Sequence, residues 1–349
     1  MAEPLLAALA ARGERLAILA LPWVAPVFRA MPQVAEVIEA PFAHGRLDVA
    51  ARWRLGRSLE GRFDTAFVLG NSWKSALVPF FAAVPRRIGY LGESRFGLLD
   101  RRLANPRGRP PMVAHYLALA ALHGPGSNGA PADAEPRLAV DEATAQLALE
   151  PLALEPGGYW AIAPGAEYGP SKRWPASHVA ALASRLAAHD GRPVLLLGSP
   201  GERALCEAIA ANTLGGTCTV LAGRTSLGDA LALVSRARGF VSNDSGLMHV
   251  AAALGVPQVA VFGSTSPLHT PPRNVRARVV WLKRELALDC MPCFERTCRY
   301  GHHRCMTSIA PERVEAALVA TLAAAPAPGT ATATAPPTGS SSAPASAPA

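Results

Sequence analysis

Residues Gly239 to Thr270, GFVSNDSGLMHVAAALGVPQVAVFGSTSPLHT, run as a short apolar strand, a polar corner, a helix, a second apolar strand and a second corner of Gly, Ser and Thr. That order makes a βαβ unit, which commits the chain to a parallel sheet covered by helices. Phe240 and Val241 read as buried strand, Asp244 and Ser245 as caps of the helix, and Gly246 as a place where a ligand can approach the backbone. The free N–H groups of a helix start favour a diphosphate. The second corner, Gly263 to Pro267, follows the next strand, so both corners are expected at one carboxyl edge, where parallel sheets bind ligands.

The rest of the chain repeats this rhythm. Strand-like runs at Leu16–Leu21, Val37–Ile38, Ala66–Leu69 and Arg87–Tyr90 alternate with helical stretches near Val49–Leu59, Ser75–Phe81 and Val113–Leu122. Pro/Gly clusters at Gly124–Pro136 and Glu150–Gly158 mark a boundary near 140–158. A second set of strands follows at Tyr159–Ala163, Val194–Leu197, Val220–Leu221, Gly239–Ser242, Val259–Phe262 and Val279–Leu282. Helices fit Ser177–His189, Glu202–Asn212, Ser226–Arg236 and Pro311–Leu322. The expected organisation is two Rossmann-like halves, 1–150 and 151–324, then an Ala/Pro/Ser/Thr tail, 325–349, too poor in large apolar residues to offset the entropy of ordering.

No apolar run reaches the roughly 18 to 20 residues of a membrane span, because Arg12 to Arg15 interrupt the first Ala/Leu stretch. An acidic Glu3 stands where a signal peptide carries basic residues, so a cytoplasmic protein is expected. The net charge of +8 favours an anionic partner, whether nucleic acid, phospholipid surface or phosphorylated substrate. Arginines are spread over Arg52–Arg109 and Arg273–Arg304 without the dense block of a nucleic-acid arm, and a solvated basic surface is the plain alternative.

A third element opens the second half: Ala163 to Pro175, APGAEYGPSKRWP, is a strand end, a flexible loop and a Lys-Arg pair before a helix. Alone it reads sooner as surface cations beside a packing Trp; at the same sheet edge as Asn243 to His249, it reads as a phosphate-facing loop.

Together PGAEYGPSKRWP, NDSGLMHVAAALGVPQVAVFGSTSP and DCMPCFERTCRYGHHRCM, with MPQV at Met31 and NSWKSALVPFFAAVPRRIGYLGE from Asn71, resemble the ADP-heptose:lipopolysaccharide heptosyltransferases of glycosyltransferase family 9. The similarity spans about Leu16 to Leu322. It implies a GT-B fold of two Rossmann-like domains facing a cleft, the N-terminal one for acceptor and the C-terminal one for ADP-sugar. It implies inverting transfer of L-glycero-D-manno-heptose from ADP-heptose to the first heptose on Kdo-lipid A, by an enzyme in peripheral contact with the inner face of the cytoplasmic membrane. No cofactor or nucleic-acid partner is implied.

By matching motifs, the donor side takes Lys172 first and Arg173 second for phosphate. Ser245, Gly246 and Leu247 offer hydroxyl or backbone donors, Asp244 suits sugar hydroxyls, and His249 lies one helical turn from Ser245. Glu202 suits the ribose, though Glu is also an ordinary first-turn residue, and Arg224 to Leu227 matches a further donor loop. On the acceptor side stand Asn71, Ser72, Lys74 and Ser75, with Arg86, Arg87 and Arg95 as candidates that read equally as surface arginines, and Trp23 and Trp73 flanking the acceptor or packing. Relative to the family pattern, the first strand and its Gly-Asp turn are missing: Met1 to Ala11 reads as the helix after that turn, and the expected catalytic Asp lies upstream of Met1. Asp48, Asp64 and Asp100 match no such position.

Cys290, Cys293, Cys298 and Cys305 are spaced C-x2-C-x4-C-x6-C, with His302 and His303 in the last interval. Four thiolates, or three and a histidine, form a tetrahedral structural zinc site, and a metal-free packed loop is the opposing reading. Cys206 and Cys218 read as buried small apolar residues. Two other functions stay open: a catalytically silent nucleotide-sugar-binding protein, and a zinc-dependent nucleic-acid-binding protein.

Overall fold

The computed structural model describes residues 1–43, 45–124 and 134–323. The expected tail at 325–349 and most of the Gly124–Pro136 boundary lie outside them. The first part of the chain runs α1 (Glu3–Ala10), β1 (Leu16–Ala20), α2 (Ala25–Arg29), β2 (Val34–Glu39), α3 (Val49–Ser58), β3 (Thr65–Val68), α4 (Leu77–Phe81), β4 (Arg86–Tyr90), β5 (Arg101–Leu103) and α5 (Met112–Leu117). Next come α6 (Glu142–Leu149), β6 (Trp160–Ala163), α7 (Ala176–Asp190), β7 (Val194–Leu196), α8 (Arg203–Ala211), β8 (Cys218–Val220) and α9 (Leu227–Ser235). The last elements are β9 (Gly239–Asn243), α10 (Gly246–Ala253), β10 (Gln258–Phe262), β11 (Ala277–Trp281), α11 (Lys283–Leu286), α12 (Arg304–Thr307) and α13 (Pro311–Ala323).

The later strands form one parallel sheet in the order β11-β10-β9-β6-β7-β8. Strand order therefore runs outward both ways from β6 and β9, and the switch point opens a crevice beyond their carboxyl ends. Both faces are covered, which is why these strands read as continuous apolar runs. Trp160, Ile162, Val194, Leu196 and Val241 pack on the α7, α8 and α13 side with Leu182, Leu186, Ile209 and Leu318. The alternate residues Tyr159, Ala161, Leu195 and Phe240 turn to the α6, α9 and α10 side with Leu149, Leu233 and Ala251.

The earlier strands form two parallel sheets, β1-β2 and β3-β4-β5. Between β1 and β3 runs a groove of about 790 Å³ lined by Leu16 to Leu19, Ala66 to Leu69, Leu5, Leu9 and Val78. The helix expected at Val113–Leu122 is a short α5 continued as a 3-10 turn, Ala118–Leu122. Five elements, β5, α2, α6, α11 and α12, are too short or too weakly periodic to read from sequence. A strap joins the two parts: Leu138 N–H donates to Ala253 O and Ala139 N–H to Ala30 O.

Candidate functional site

The loop after β6, the corner after β9 and the corner after β10 meet at the switch-point crevice. Asn243, buried at the end of β9, fastens the first to the second: its amide donates to Pro164 O at 2.6 Å and accepts the Trp174 N–H at 3.1 Å. Ser171 joins the first to the third, with its hydroxyl 3.2 Å from that of Ser264. The strand pattern places these corners on one edge, but this cross-bonding has no local sequence signal.

Lys172 closes a single 3-10 turn, Pro170–Lys172, and turns inward. Its Nζ donates to Asp244 Oδ2 at 2.6 Å, and its ammonium lies 5.0 Å from the centre of the Tyr168 ring. Asp244 also accepts from Thr265 Oγ1 at 2.8 Å and Thr270 Oγ1 at 3.4 Å. Asp244 and Ser245 therefore do not serve as the side-chain caps expected of them. The N-cap position of α10 is Ser245, whose side chain makes no capping bond, and the Asp244 carboxylate is drawn away by Lys172 and the threonines.

Two features remain open at the start of α10. The buried Ser245 Oγ has no hydrogen-bond partner among the described residues, and a Cβ built on Gly246 meets no atom within 4 Å. The first-turn N–H groups of Gly246 and Leu247 lie beside this space without intrahelical acceptors. A polar hydroxyl, free N–H groups and a helix start together receive an anion. His249, one turn further on, is pushed well below the ordinary imidazole pKa by burial first, then by the Met1 amine and Lys172, with Asp244 opposing.

Glu202 is brought to the same crevice by a capping box. Its Oε2 accepts from Ser199 N–H at 2.8 Å and Ser199 Oγ at 3.0 Å. A Cβ on Gly165 would stand 1.7 Å from Glu202 Oε1, so the bare glycine is what lets the carboxylate lie against the first loop. Arg173 and Arg224 are exposed and make no side-chain hydrogen bond or ion pair among the described residues.

The opposite wall comes from the earlier part of the chain. Met112 N–H donates to His269 O at 3.0 Å, His269 Nδ1 lies 2.6 Å from Pro110 O, and the Arg109 guanidinium covers the Phe294 ring. The amino end of α1 faces the donor corner: the Met1 amine has its pKa lowered by burial, opposed by Glu3 and reinforced by Arg273. Glu3 itself is buried, with its carboxyl raised by desolvation despite the Gln33 amide at 2.8 Å. Thr265, Thr270 and Asn243 are the site groups that sequence reading left unassigned.

Of the acceptor candidates, Asn71, Ser72, Lys74 and Ser75 do share one loop after β3. Lys74 Nζ donates to Gly45 O at 2.9 Å, and Ser75 Oγ donates to Gly70 O at 2.9 Å. Arg87 does not join them. Register pairs it with Ala66 near the amino end of the strands, and its guanidinium is held by Asp100, Leu98 O and Val84 O. Arg95 is no surface arginine: it is fully buried and braces the loop through Gly70 O at 2.6 Å and Ser75 Oγ at 3.1 Å. Trp23 and Trp73 are exposed rather than packed. Cys206 is buried as expected, with its thiol pushed up to about 12 by burial, whereas Cys218 is half-buried.

Among the described residues, no group of three or more His, Cys, Asp or Glu is already assembled as a metal site. None of their helices is long and apolar enough to cross a membrane.

Residues 52–304 match the model of glycosyltransferase family 9 (heptosyltransferase). The chain is 40% identical over 308 residues to lipopolysaccharide heptosyltransferase 2 of Salmonella typhimurium strain LT2, covering 85% of this chain and 86% of that one. The solved structure of Escherichia coli ADP-heptose lps heptosyltransferase II superposes with a TM-score of 0.78 at 36% identity, over 93% of this chain and 94% of that one. A family 9 glycosyltransferase from Veillonella parvula shares the fold, with a TM-score of 0.77 at 18% identity over 93% of both chains.

Proposed function

The chain belongs to glycosyltransferase family 9, the heptosyltransferases, and on that premise we propose that it transfers L-glycero-D-manno-heptose from ADP-heptose, with inversion, to the first heptose of the lipopolysaccharide inner core. This is the activity of a heptosyltransferase II. The observation that carries the reading is the start of α10 beside Lys172, where a bare Gly246 borders free space and the buried Ser245 hydroxyl next to it has no partner among the described residues.

Inverting transfer has two electrostatic demands: the acceptor hydroxyl loses a proton as it attacks, and the departing ADP gains negative charge. The second demand is the one these residues suit. Lys172 exchanges part of its contact with Asp244 for a diphosphate oxygen, and the Ser245 hydroxyl and the N–H groups of Gly246 and Leu247 supply donors to the same group. Released from Lys172, Asp244 accepts from hydroxyls of the bound sugar, a better partner for a carboxylate than a diphosphate. In this reading Glu202 Oε1, opposite Gly165, accepts from the ribose hydroxyls.

The acceptor enters from the Asn71 to Ser75 loop, where Lys74 meets a phosphate or Kdo carboxylate after giving up Gly45 O. The net charge of +8 suits an anionic glycolipid at the inner face of the cytoplasmic membrane, where the chain acts from the cytoplasmic side.

The test is ADP release on mixing the purified protein with ADP-heptose and a mono-heptosylated Kdo-lipid A, with the product identified by mass. One observation favours a silent nucleotide-sugar-binding protein instead: at the crevice Asp244 is ion-paired and Glu202 is occupied in its capping box. Donor binding that Lys172→Ala weakens, without any heptose transfer, would establish that alternative and overturn the transferase.

A further inference from the structure

The donor and acceptor surfaces leave one chemically distinctive segment unused, the loop between α11 and α12. It carries Cys290, Cys293 and Cys298, with Cys305 in the first turn of α12, and all four are free thiols. In the folded chain these four sulfur-bearing residues line one cavity of about 20 Å³. That volume holds a single small guest.

Local backbone geometry shapes the cavity wall. The turn after Cys298 closes through Gly301, at a φ of +67°, whose N–H donates to Cys298 O at 3.0 Å. Cys298 and Cys305 thereby share a wall with Cys290 and Cys293, and four thiols facing one small space are a donor set that ligates metal as thiolates. His302 is already engaged, its Nδ1 accepting the Arg304 N–H at 3.0 Å, which leaves sulfur as the natural donor set.

We propose that Cys290, Cys293, Cys298 and Cys305 bind one zinc ion. The side chains rotate inward across the cavity to reach about 2.3 Å from the metal, and each thiol releases its proton to solvent on coordination. Arg296 and Arg299 on the same loop and Arg304 at the start of α12 offset the negative charge of a tetrathiolate centre. The consequence reaches the crevice, because this loop holds its corners: Phe294 N–H donates to Ser264 O at 2.8 Å, and Ser171 N–H to Arg296 O at 3.1 Å. The ion is a clamp on the donor-side loops, and the inference does not depend on which sugar is transferred.

Protein purified without chelator should contain about one zinc per chain, and Co²⁺ exchange should give the thiolate charge-transfer and tetrahedral ligand-field bands of a sulfur-ligated site. Cys293→Ser/Cys298→Ser should lose the metal and the Co²⁺ bands, and chelation should make residues 287–303 open to proteolysis. If that variant does not fold, the wild-type measurements decide alone. Purified or zinc-reconstituted wild-type protein that holds no zinc, or whose four thiols are paired as disulfides, overturns the proposal.

Discussion

Lys172 Nζ and Asp244 Oδ2 lie 2.6 Å apart, the lysine before α7 and the carboxylate after β9, with side chains only 14% and 7% exposed. A pair this dry costs much to break from one side, about 3–5 kcal/mol, because the remaining charge keeps its desolvation penalty. It also holds the corner after β9 in a defined arrangement.

Lys172→Ala should therefore weaken ADP-heptose binding and lower the melting temperature at once. Lys172→Met/Asp244→Asn should recover much of the stability and none of the transfer rate. Calorimetric titration with ADP and a thermal melt on the single and double variants separate the two effects. Full stability in Lys172→Ala would show that the pair contributes nothing to the fold.

Gly165→Ala places its Cβ where Glu202 Oε1 lies, and a carboxylate at the end of a flexible side chain moves more readily than backbone. The expected cost is that of losing the capping box at Ser199, about 0.5–2 kcal/mol. Glu202→Ala should cost a similar amount, and the two substitutions together little more than either alone. Urea denaturation of the three variants gives the coupling directly.

Gly92→Ala is the severe case. Gly92 has φ +55°, and an added Cβ would sit 2.1 Å from the backbone oxygen of Asn71, which cannot move without displacing the Asn71–Ser75 loop. A loss of about 2–4 kcal/mol is expected, from overpacking and an unfavourable backbone conformation together. Acceptor KM should rise more than donor KM; an equal effect on both would sever this loop from acceptor binding.

His249 makes stability fall in acid. Burial, the Met1 amine and Lys172 lower its folded pKa below the unfolded value, while Asp244 opposes. Between those values the unfolded chain binds the proton and the folded chain does not, so stability rises with pH. The neutral-pH contribution is complete above about pH 6.5 and is lost as pH falls towards the folded pKa, at up to about 1.4 kcal/mol per pH unit. His115 is also lowered by burial and has the same sign, so the informative quantity is the difference between wild type and His249→Gln. Chemical denaturation from pH 7.5 to 5 should show a shallower slope in the variant.

Strands flanked by Gly and Pro, apolar on both faces, marked the parallel sheet, and Ala163 to Pro175 and Asn243 to His249 were legible as corners at its ligand edge. Those features are local: side-chain alternation, helix starts and turn residues are set by neighbours in the chain. Contacts made across the chain were not legible. Asp244 looked like a helix cap until Lys172, Thr265 and Thr270 drew its carboxylate aside. Arg87 and Arg95 looked like surface cations until strand register put one at the far end of the sheet and burial made the other a brace. The sequence alone determined which residue types stand at the crevice edge, because a βαβ order leaves its corners nowhere else to go. Only the tertiary structure decided which of them are already paired and which remain open, because hydrogen bonds and desolvation depend on what distant segments bring within about 3 Å.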